Sequence, residues 1–333
     1  MTRSVIGLDV GGANLKAAHS SGVAVLQPFA LWNNPGGLAE ALGTLIGSLP
    51  PAEILAVTMT GELCDCYESK RQGVNAILDA VEMVAGNRPI LIWQNQGRFV
   101  SVPEARANPL QTAAANWLAL ATFAGRYAPT GPALLLDVGS TTTDLVPLRD
   151  GKPVPRGRTD PERLRCQELV YTGVRRTPLC ALLGGGGAAE LFATTLDVYL
   201  VLGSIRENPA DCDTADGRPA TRRAAHARLA RMLCADRETS TEEERRRLAE
   251  RVLLRQVMLL TGAVESGVKR LPGPPETVVL AGSGEFLARL VLEEQKAFPP
   301  CKAVQLHQIL GENVSTAACA YAVALLAAER KGA

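Results

Sequence analysis

Residues 133–147 (ALLLDVGSTTTDLVP) constrain the fold more than any other stretch of the chain. Leu134, Leu136 and Val138 recur at the strand period and face one layer, the apolar run breaks at Gly139, and a second apolar run follows a row of hydroxyls. This pattern predicts a buried strand, a tight turn and an antiparallel return. Asp137 stands at the break. A carboxylate ending a buried strand, followed by a glycine whose N–H can turn outward with no Cβ in the way, suits a magnesium-bound di- or triphosphate. Magnesium takes one or two carboxylates and fills its other positions with water and phosphate oxygens. The hydroxyls of Ser140, Thr141, Thr142 and Thr143 are potential donors to those oxygens. A Ser/Thr-rich hairpin without any ligand would read the same way in isolation.

A second copy near the N-terminus decides between them. Residues 5–16 (VIGLDVGGANLK) repeat the order: an apolar strand, Asp9-Val10-Gly11, a turn, and an outgoing strand that carries Lys16. Two Asp-Val-Gly hairpins so far apart predict two similar lobes facing each other across a cleft, each offering a phosphate loop. A third glycine turn, residues 278–285 (VVLAGSGE), runs from strand into helix and would let the backbone approach a base, a ribose or another flat ligand. Neither hairpin runs strand-to-helix with GxGxxG spacing, so the dinucleotide fingerprint does not fit.

The hairpin pair and the late glycine turn resemble the phosphate and adenosine loops of the actin-like ATPase superfamily. Within it the chain resembles the hydantoinase/oxoprolinase-like branch. More narrowly, it is similar to the synthase family of methanofuran biosynthesis, which joins an aminomethylfuran methyl diphosphate to γ-glutamyltyramine. Residues 59–67 (MTGELCDCY), 115–117 (ANW), 139–144, 169–178 (LVYTGVRRTP), 212–217 (CDTADG) and 233–238 (LCADRE) carry that narrower likeness. The resemblance implies an α/β fold of two ribonuclease H-like, actin/sugar-kinase-like lobes around a central cleft. It also implies a binding set of Gly11, Gly12, Asn14, Gly139, Ser140, Thr141, Thr142, Gly282, Gly284 and Arg175, with Asp9 and Asp137 on magnesium.

At 333 residues the chain has room for two domains. The turn cluster at residues 129–132 (PTGP) marks the expected boundary, giving lobes 1–130 and 131–333, the second with an inserted segment at about 156–238 that is rich in Arg and loops. Hydrophobic content of 47%, charged content of 21% and a net charge of +1 argue against a disordered or nucleic-acid-coating protein. Strand pattern begins directly after Met1-Thr2-Arg3-Ser4, leaving no room for a signal peptide, and the longest apolar run, residues 317–328, falls short of the ~18 residues of a membrane span. The expectation is a soluble cytoplasmic protein, with no nucleic-acid or membrane partner, and a homo-oligomer left open. Eight scattered cysteines point to reduced thiols. Cys64 and Cys66, the close pair, lack zinc-knuckle spacing and would face opposite ways on an extended segment.

Along the chain, helical spacing covers residues 37–49, 73–86, 108–128 and 316–329, with strands at 54–59 and 89–93. Asn108 is the expected N-cap of the third helix, before Pro109. Trp117 is assigned to the core, and the family likeness turns Asn116 toward the cleft. Glu62 and Asp65 follow a strand end, where open α/β sheets line their ligand crevice. Arg175-Arg176 can hold an anionic tail or a diphosphate, and residues 212–217 could form a metal loop or a surface turn. Gly184–Gly187 follow no Asp-ended strand and read as a connection. Arg222, Arg223, Arg228, Arg231 and Arg237 fall on a helix without aromatic platforms, a solvated or diphosphate-facing element. Ser240 with Glu243 forms the expected capping box of the next helix, followed by the i,i+4 pairs Glu242–Arg246 and Glu243–Arg247. His19, His226 and His307 do not cluster, so no catalytic histidine is assigned.

The reaction implied by the resemblance is alkyl transfer from a furfuryl-type diphosphate to a phenol oxygen, with magnesium and without ATP. The furan oxygen delocalises positive charge on the CH2 carbon, so the C–O bond can break ahead of attack. Asp9, Asp137, Lys16 and the backbone N–H groups of Gly11, Gly12 and Gly139 suit the charge developing on diphosphate. Asp144 or Glu62 is the expected base for a phenol of pKa about 10. Leu15 stands where the family pattern has Thr, which removes a hydroxyl expected near the phosphates. Two other readings use the same loops: an ATP-dependent small-molecule kinase or hydantoinase/oxoprolinase-like amidohydrolase, and a non-catalytic nucleotide switch or iron–sulfur activator built on Cys64 and Cys66.

Overall fold

The structure is a computed structural model describing residues 3–330, so Met1 and Thr2 of the N-terminal reading lie outside the described residues. Two sheets repeat one strand order. The first comprises β1 (Val5–Val10), β2 (Asn14–His19), β3 (Ala24–Pro28), β4 (Ile54–Met59), β5 (Ile90–Gln94) and β6 (Arg98–Val100), arranged 3-2-1-4-5-6. The second comprises β7 (Pro132–Val138), β8 (Thr143–Arg149), β9 (Lys152–Pro153), β10 (Leu169–Val170), β11 (Thr277–Ala281) and β12 (Lys302–Gln305), arranged 10-8-7-11-12 with β9 beside β8. In each, an antiparallel hairpin leads into parallel neighbours: β1 pairs β2 antiparallel and β4 parallel, as β7 pairs β8 and β11. This is the ribonuclease H-like arrangement, present twice.

Both faces of the central strands are buried, which is why they read as near-continuous apolar runs. Leu134, Leu136 and Val138 face an outer core with helices Thr195–Leu202, Arg222–Met232, Glu242–Val268 and Glu285–Glu294. Ala133 and Leu135 face a core shared with the first sheet, in which helices Asn116–Ala124 and Ala318–Ala328 are sandwiched. Helices Leu38–Gly47 and Lys70–Ala85 cover the outer face of the first sheet. The layers therefore run helix, sheet, helix, sheet, helix.

The alanine-rich last helix, within the core shared by the two sheets, packs against β1, β2 and β4 of the first sheet. A Cβ on Gly7 would sit 1.9 Å from the Ala320 carbonyl oxygen, so strand and helix approach closely only because both positions are small.

Several local expectations shift. The helix expected over 108–128 is broken into Pro109–Thr112 and Asn116–Ala124, with Ala114 at φ 47° between them. The cause is docking on the β5–β6 turn: the Asn95 N–H donates to the Gln111 carbonyl (2.8 Å) and the Gln94 amide to Thr112 Oγ1 (3.1 Å). Asn108 does occupy the N-cap with Pro109 at the first helical position, but its side-chain amide donates to the Glu104 carbonyl rather than capping. The capping box moves one residue, to Thr241 and Glu244, because the Ser240 hydroxyl is held by Asp236 and Arg245. Glu243 pairs with Arg247 as expected, but Arg246 turns to Glu250 rather than Glu242. Helix Lys70–Ala85 starts before residue 73 because Ser69 caps it. Among the described residues no helix is long and apolar enough to cross a membrane.

Candidate active site

The two Asp-Val-Gly segments fold into the same turn. In the first hairpin Asp9 stands opposite Lys16 and Val10 opposite Leu15, and the Gly11 N–H closes the turn on the Asn14 carbonyl (3.1 Å). In the second, Asp137 stands opposite Asp144 and Val138 opposite Thr143, and the Gly139 N–H closes on the Thr142 carbonyl (2.8 Å). The Gly11 and Gly139 N–H groups are thus consumed by the turns and do not point at a ligand, as the sequence had suggested. Among the described residues, no protein group accepts from the N–H of Gly12, Ser140 or Thr141.

Directly opposed residues share a face of the sheet, so each aspartate is set by its partner across the ladder. Asp9 is 3% exposed, with Lys16 Nζ 3.8 Å from its Oδ2. Burial raises its pKa, while Lys16 and the Asn116 amide pull it back. Asn116 accepts the Trp117 N–H on its oxygen, which leaves the amide nitrogen for Asp9, in line with the cleft-facing expectation. Burial works against the Lys16 ammonium, but Asp9, Cys319 and Asp137 outweigh it and hold its pKa above the usual value. Asp137 is pushed up to about 7, by burial first and then by Asp144 opposite it, with Lys16, Asp9 and Arg163 also acting on it. The two lobes thereby bring Asp9, Asp137, Asp144 and Lys16 into one cluster.

Other residues land differently. Asp144 accepts from Arg163 Nη1 at 2.7 Å, and that buried guanidinium stacks 3.9 Å over the Trp117 ring. Burial raises the Asp144 pKa and Arg163 opposes it. Glu62 is 1% exposed rather than a solvated loop acid. Burial lifts its pKa to about 7 against the Glu62 backbone N–H and Lys70, whose Nζ lies 4.0 Å from Oε1, and Oε2 has no partner. Lys70 also reaches Asp160 Oδ2 (3.4 Å) across the lobes, and Asp160 acts on both Glu62 and Asp144, so Glu62 borders the same cleft.

Arg175 is bound bidentately by Asp211 (2.6 and 2.7 Å) and by the Asp213 carbonyl (2.8 Å), so it does not face the cleft. The 212–217 loop is a set of Arg anchors rather than a metal loop: Asp216 holds Arg218 and the fully buried Arg228, which also binds Asp197 and is therefore neither solvated nor diphosphate-facing. Gly282 and Gly284 lie packed against the second hairpin. A Cβ on Gly282, at φ +90°, would lie 2.2 Å from the Val138 oxygen and 2.4 Å from Asp137 Oδ1, and one on Gly284 would lie 2.5 Å from Val138 Cγ1. Leu15 is fully buried on the face opposite Lys16. Its counterpart Thr143 bonds the Thr172 carbonyl, so a hydroxyl at position 15 would enter the core and not the phosphate site.

A model of the hydantoinase/oxoprolinase family matches residues 53–330. The chain belongs to the hydantoinase/oxoprolinase family. Within it, the chain is 33% identical over 333 residues to a protein of Methanocaldococcus jannaschii named (4-{4-[2-(γ-L-glutamylamino)ethyl]phenoxymethyl}furan-2-yl)methanamine synthase, with 97% of each chain covered. A Methanococcus vannielii protein of the same name is 32% identical over 203 residues, 58% of this chain and 89% of that protein. Among solved structures, nucleotide-free acetone carboxylase is similar in fold, with a TM-score of 0.52 at 11% identity over 97% of this chain and 70% of that one.

The acids of this family member suit a hydrated magnesium ion shared with phosphate. Asp9 Oδ1 is buried without a partner, and Asp137 faces a like charge that a divalent cation would relieve. Among the described residues no group of three or more His, Cys, Asp or Glu could by itself hold a metal, so a dedicated protein cage is not built here. All eight cysteines are free. Arg163, Lys70, Asp160 and Trp32 also line the cleft and were not singled out as site residues in the sequence, since each meets its partner only through the fold; Arg176, read in the sequence with Arg175 as an anion-holding pair, meets Trp32 there.

Proposed function

We propose that the chain is a diphosphate-releasing ether synthase of methanofuran-type one-carbon cofactor biosynthesis. It joins the furfuryl-type carbon of aminomethylfuran methyl diphosphate to the phenol oxygen of γ-glutamyltyramine or a tyrosine-containing relative. The observation that carries this reading is 33% identity over 97% of the chain to a protein named for that ether product. The meeting of Asp9, Lys16 and Asp137 in one cleft supplies a chemical rationale.

In this scheme Asp9 and Asp137 would hold magnesium, whose charge stabilises the departing diphosphate. Lys16 and the N–H groups of Gly12, Ser140 and Thr141 stabilise the same anion from the protein side. The C–O bond to diphosphate breaks with its electron pair on oxygen, the phenol oxygen bonds to the CH2 carbon, and the phenol proton passes to a base. Glu62 fits that role better than Asp144. One of its oxygens is unpartnered and its pKa is about 7, whereas Asp144 is committed to Arg163.

The deciding experiment gives purified protein the furan diphosphate, γ-glutamyltyramine and magnesium without nucleotide, and looks for the ether by mass. An absolute ATP requirement would refute the scheme in favour of a kinase or amidohydrolase. A brown protein after anaerobic purification would instead point to an iron–sulfur activator.

A further inference from the structure

We propose that Arg176, stacked on Trp32, is the cation that receives the leaving diphosphate and that Trp32 holds its guanidinium in place from the opposite lobe. The proposal rests on the diphosphate reading above and names a residue for it.

The backbone of residues 173–176 is bonded onto the tip of the second hairpin. Val174 N–H donates to the Gly139 carbonyl (3.0 Å), and the N–H groups of Arg175 and Arg176 donate to that of Ser140 (2.9 and 3.0 Å). Gly173 makes this possible, since a Cβ there would lie 2.5 Å from the Ser140 carbonyl carbon. Behind the segment lies a buried polar network. Thr195 Oγ1 (2.8 Å) and Gln256 Nε2 (2.9 Å) donate to the Gly173 carbonyl, Thr177 Oγ1 accepts the Gly173 N–H (3.0 Å), and the Tyr199 hydroxyl donates to Gln256 (2.5 Å). Such a fully bonded network fixes one conformation of the loop. Its effect is to aim residue 176.

The Arg176 side chain crosses to the first lobe. Its guanidinium carbon stands 4.8 Å from the Trp32 ring centroid, within the range of a favourable cation–aromatic contact. Burial pushes the Cys64 thiol up to about 11 and the Arg176 charge opposes the rise, so the two are within electrostatic reach. Cys64 in turn abuts the first hairpin, for a Cβ on Gly12 would sit 2.6 Å from its Sγ. Leu31, next to Trp32, donates its N–H to the Gly12 carbonyl (2.9 Å), so the stack adjoins the tips of both phosphate hairpins, where among the described residues Gly12, Ser140 and Thr141 leave N–H groups without protein acceptors.

Hydrogen bonding to acids sets Arg176 apart from the neighbouring arginines. Arg163 is bonded to Asp144 (2.7 Å) and Arg175 to Asp211 (2.6 Å), and Lys70 reaches Asp160 at 3.4 Å, whereas Arg176, like Lys16 beside Asp9, comes only within 3.8 Å of an acid. The Arg176 nitrogen nearest an acid is 3.8 Å from Asp213, beyond hydrogen-bond length, and that same Nη1 is buried with no partner. An unpartnered buried donor is costly and a bidentate oxyanion would satisfy it. Trp32, 39% exposed, offers the guanidinium a surface on the opposite lobe.

Calorimetric titration with magnesium pyrophosphate tests the assignment on wild type, Arg176→Met, Arg176→Lys and Trp32→Ala, each checked for an unchanged melting temperature. Arg176→Met is expected to weaken pyrophosphate at least 30-fold. Arg176→Lys should recover only part of that, because an ammonium lacks the planar fork, and Trp32→Ala should lose about 3- to 10-fold. The KM for the phenolic acceptor, at saturating furan diphosphate, should stay within 2-fold of wild type. Wild-type pyrophosphate affinity in Arg176→Met overturns the proposal. So does a raised acceptor KM alone, which would put the acceptor's carboxylate on the guanidinium. If wild type binds pyrophosphate but forms no ether, the proposed reaction fails separately, and the Arg176→Met affinity still decides the clamp.

Discussion

Replacing Asp137 by Asn separates what this residue does for the reaction from what it costs the fold. Burial and the opposed Asp144 raise its pKa from an ordinary 3.8 to about 7. A carboxyl whose folded pKa is raised contributes its full stability below its unfolded pKa and loses it as pH climbs through the folded value. At about 1.4 kcal/mol per pH unit, the rise from 3.8 to about 7 amounts to about 4 kcal/mol lost by neutral pH. Asp137 is only partly shielded from the cleft, so the effective loss is about 2 to 4 kcal/mol. Asn carries no such burden. Urea unfolding without magnesium should therefore find the variant more stable than wild type at pH 8, with the gap narrowing by about 1 to 3 kcal/mol at pH 5. Ether formation should vanish, and magnesium pyrophosphate should raise the wild-type midpoint but not the variant's. A gap that is the same at both pH values, or that widens toward pH 5, would mean Asp137 ionises like a surface acid and would refute the electrostatic account of the site.

Three further outcomes follow from the geometry. Glu62→Gln should lower kcat by about 10²- to 10⁴-fold and abolish the rise of kcat/KM through pH of about 7 that the wild-type base imposes; an unchanged pH profile would remove Glu62 from that role. Leu15→Thr should leave pyrophosphate affinity unchanged while costing about 1 to 3 kcal/mol of stability, since a hydroxyl replaces packed methyls. Tighter pyrophosphate binding in that variant would show that position 15 faces the ligand after all. Gly282→Ala should destabilise by about 2 kcal/mol or more and depress turnover, because its Cβ meets the Val138 oxygen and Asp137 Oδ1 at a positive φ; wild-type melting and activity together would contradict the close approach described.

The hairpins were legible because their instructions are local. Alternating Leu and Val fix which face of a strand is buried, and an Asp-Val-Gly break fixes where the turn falls, so residues 5–16 and 133–147 specify the same unit twice. The double lobe followed from that repetition. The longer helices were legible too, but their ends were not, and helices Val102–Ala107, Asp160–Arg165, Leu179–Leu183 and Thr195–Leu202 were not read from the sequence. The bonds of Gln111 and Thr112 to the β5–β6 turn go with a break in the expected helix at residues 113–115, and the Ser240 hydroxyl is held by Asp236 and Arg245 instead of capping.

Chain order alone set the acids, the turns and the apolar layers of this family member. Only the tertiary structure chose the partner of each charge. Arg163, from helix Asp160–Arg165, claims Asp144; Asp211 claims Arg175 and leaves Arg176 to reach Trp32; Lys70 meets Asp160 from the other lobe. The last helix likewise returns to β1 because Gly7 and Ala320 permit a close approach. The physical reason is range. Backbone turns and strand alternation are settled within a few residues, whereas burial and ion pairing are settled between segments that sequence separates and packing brings together.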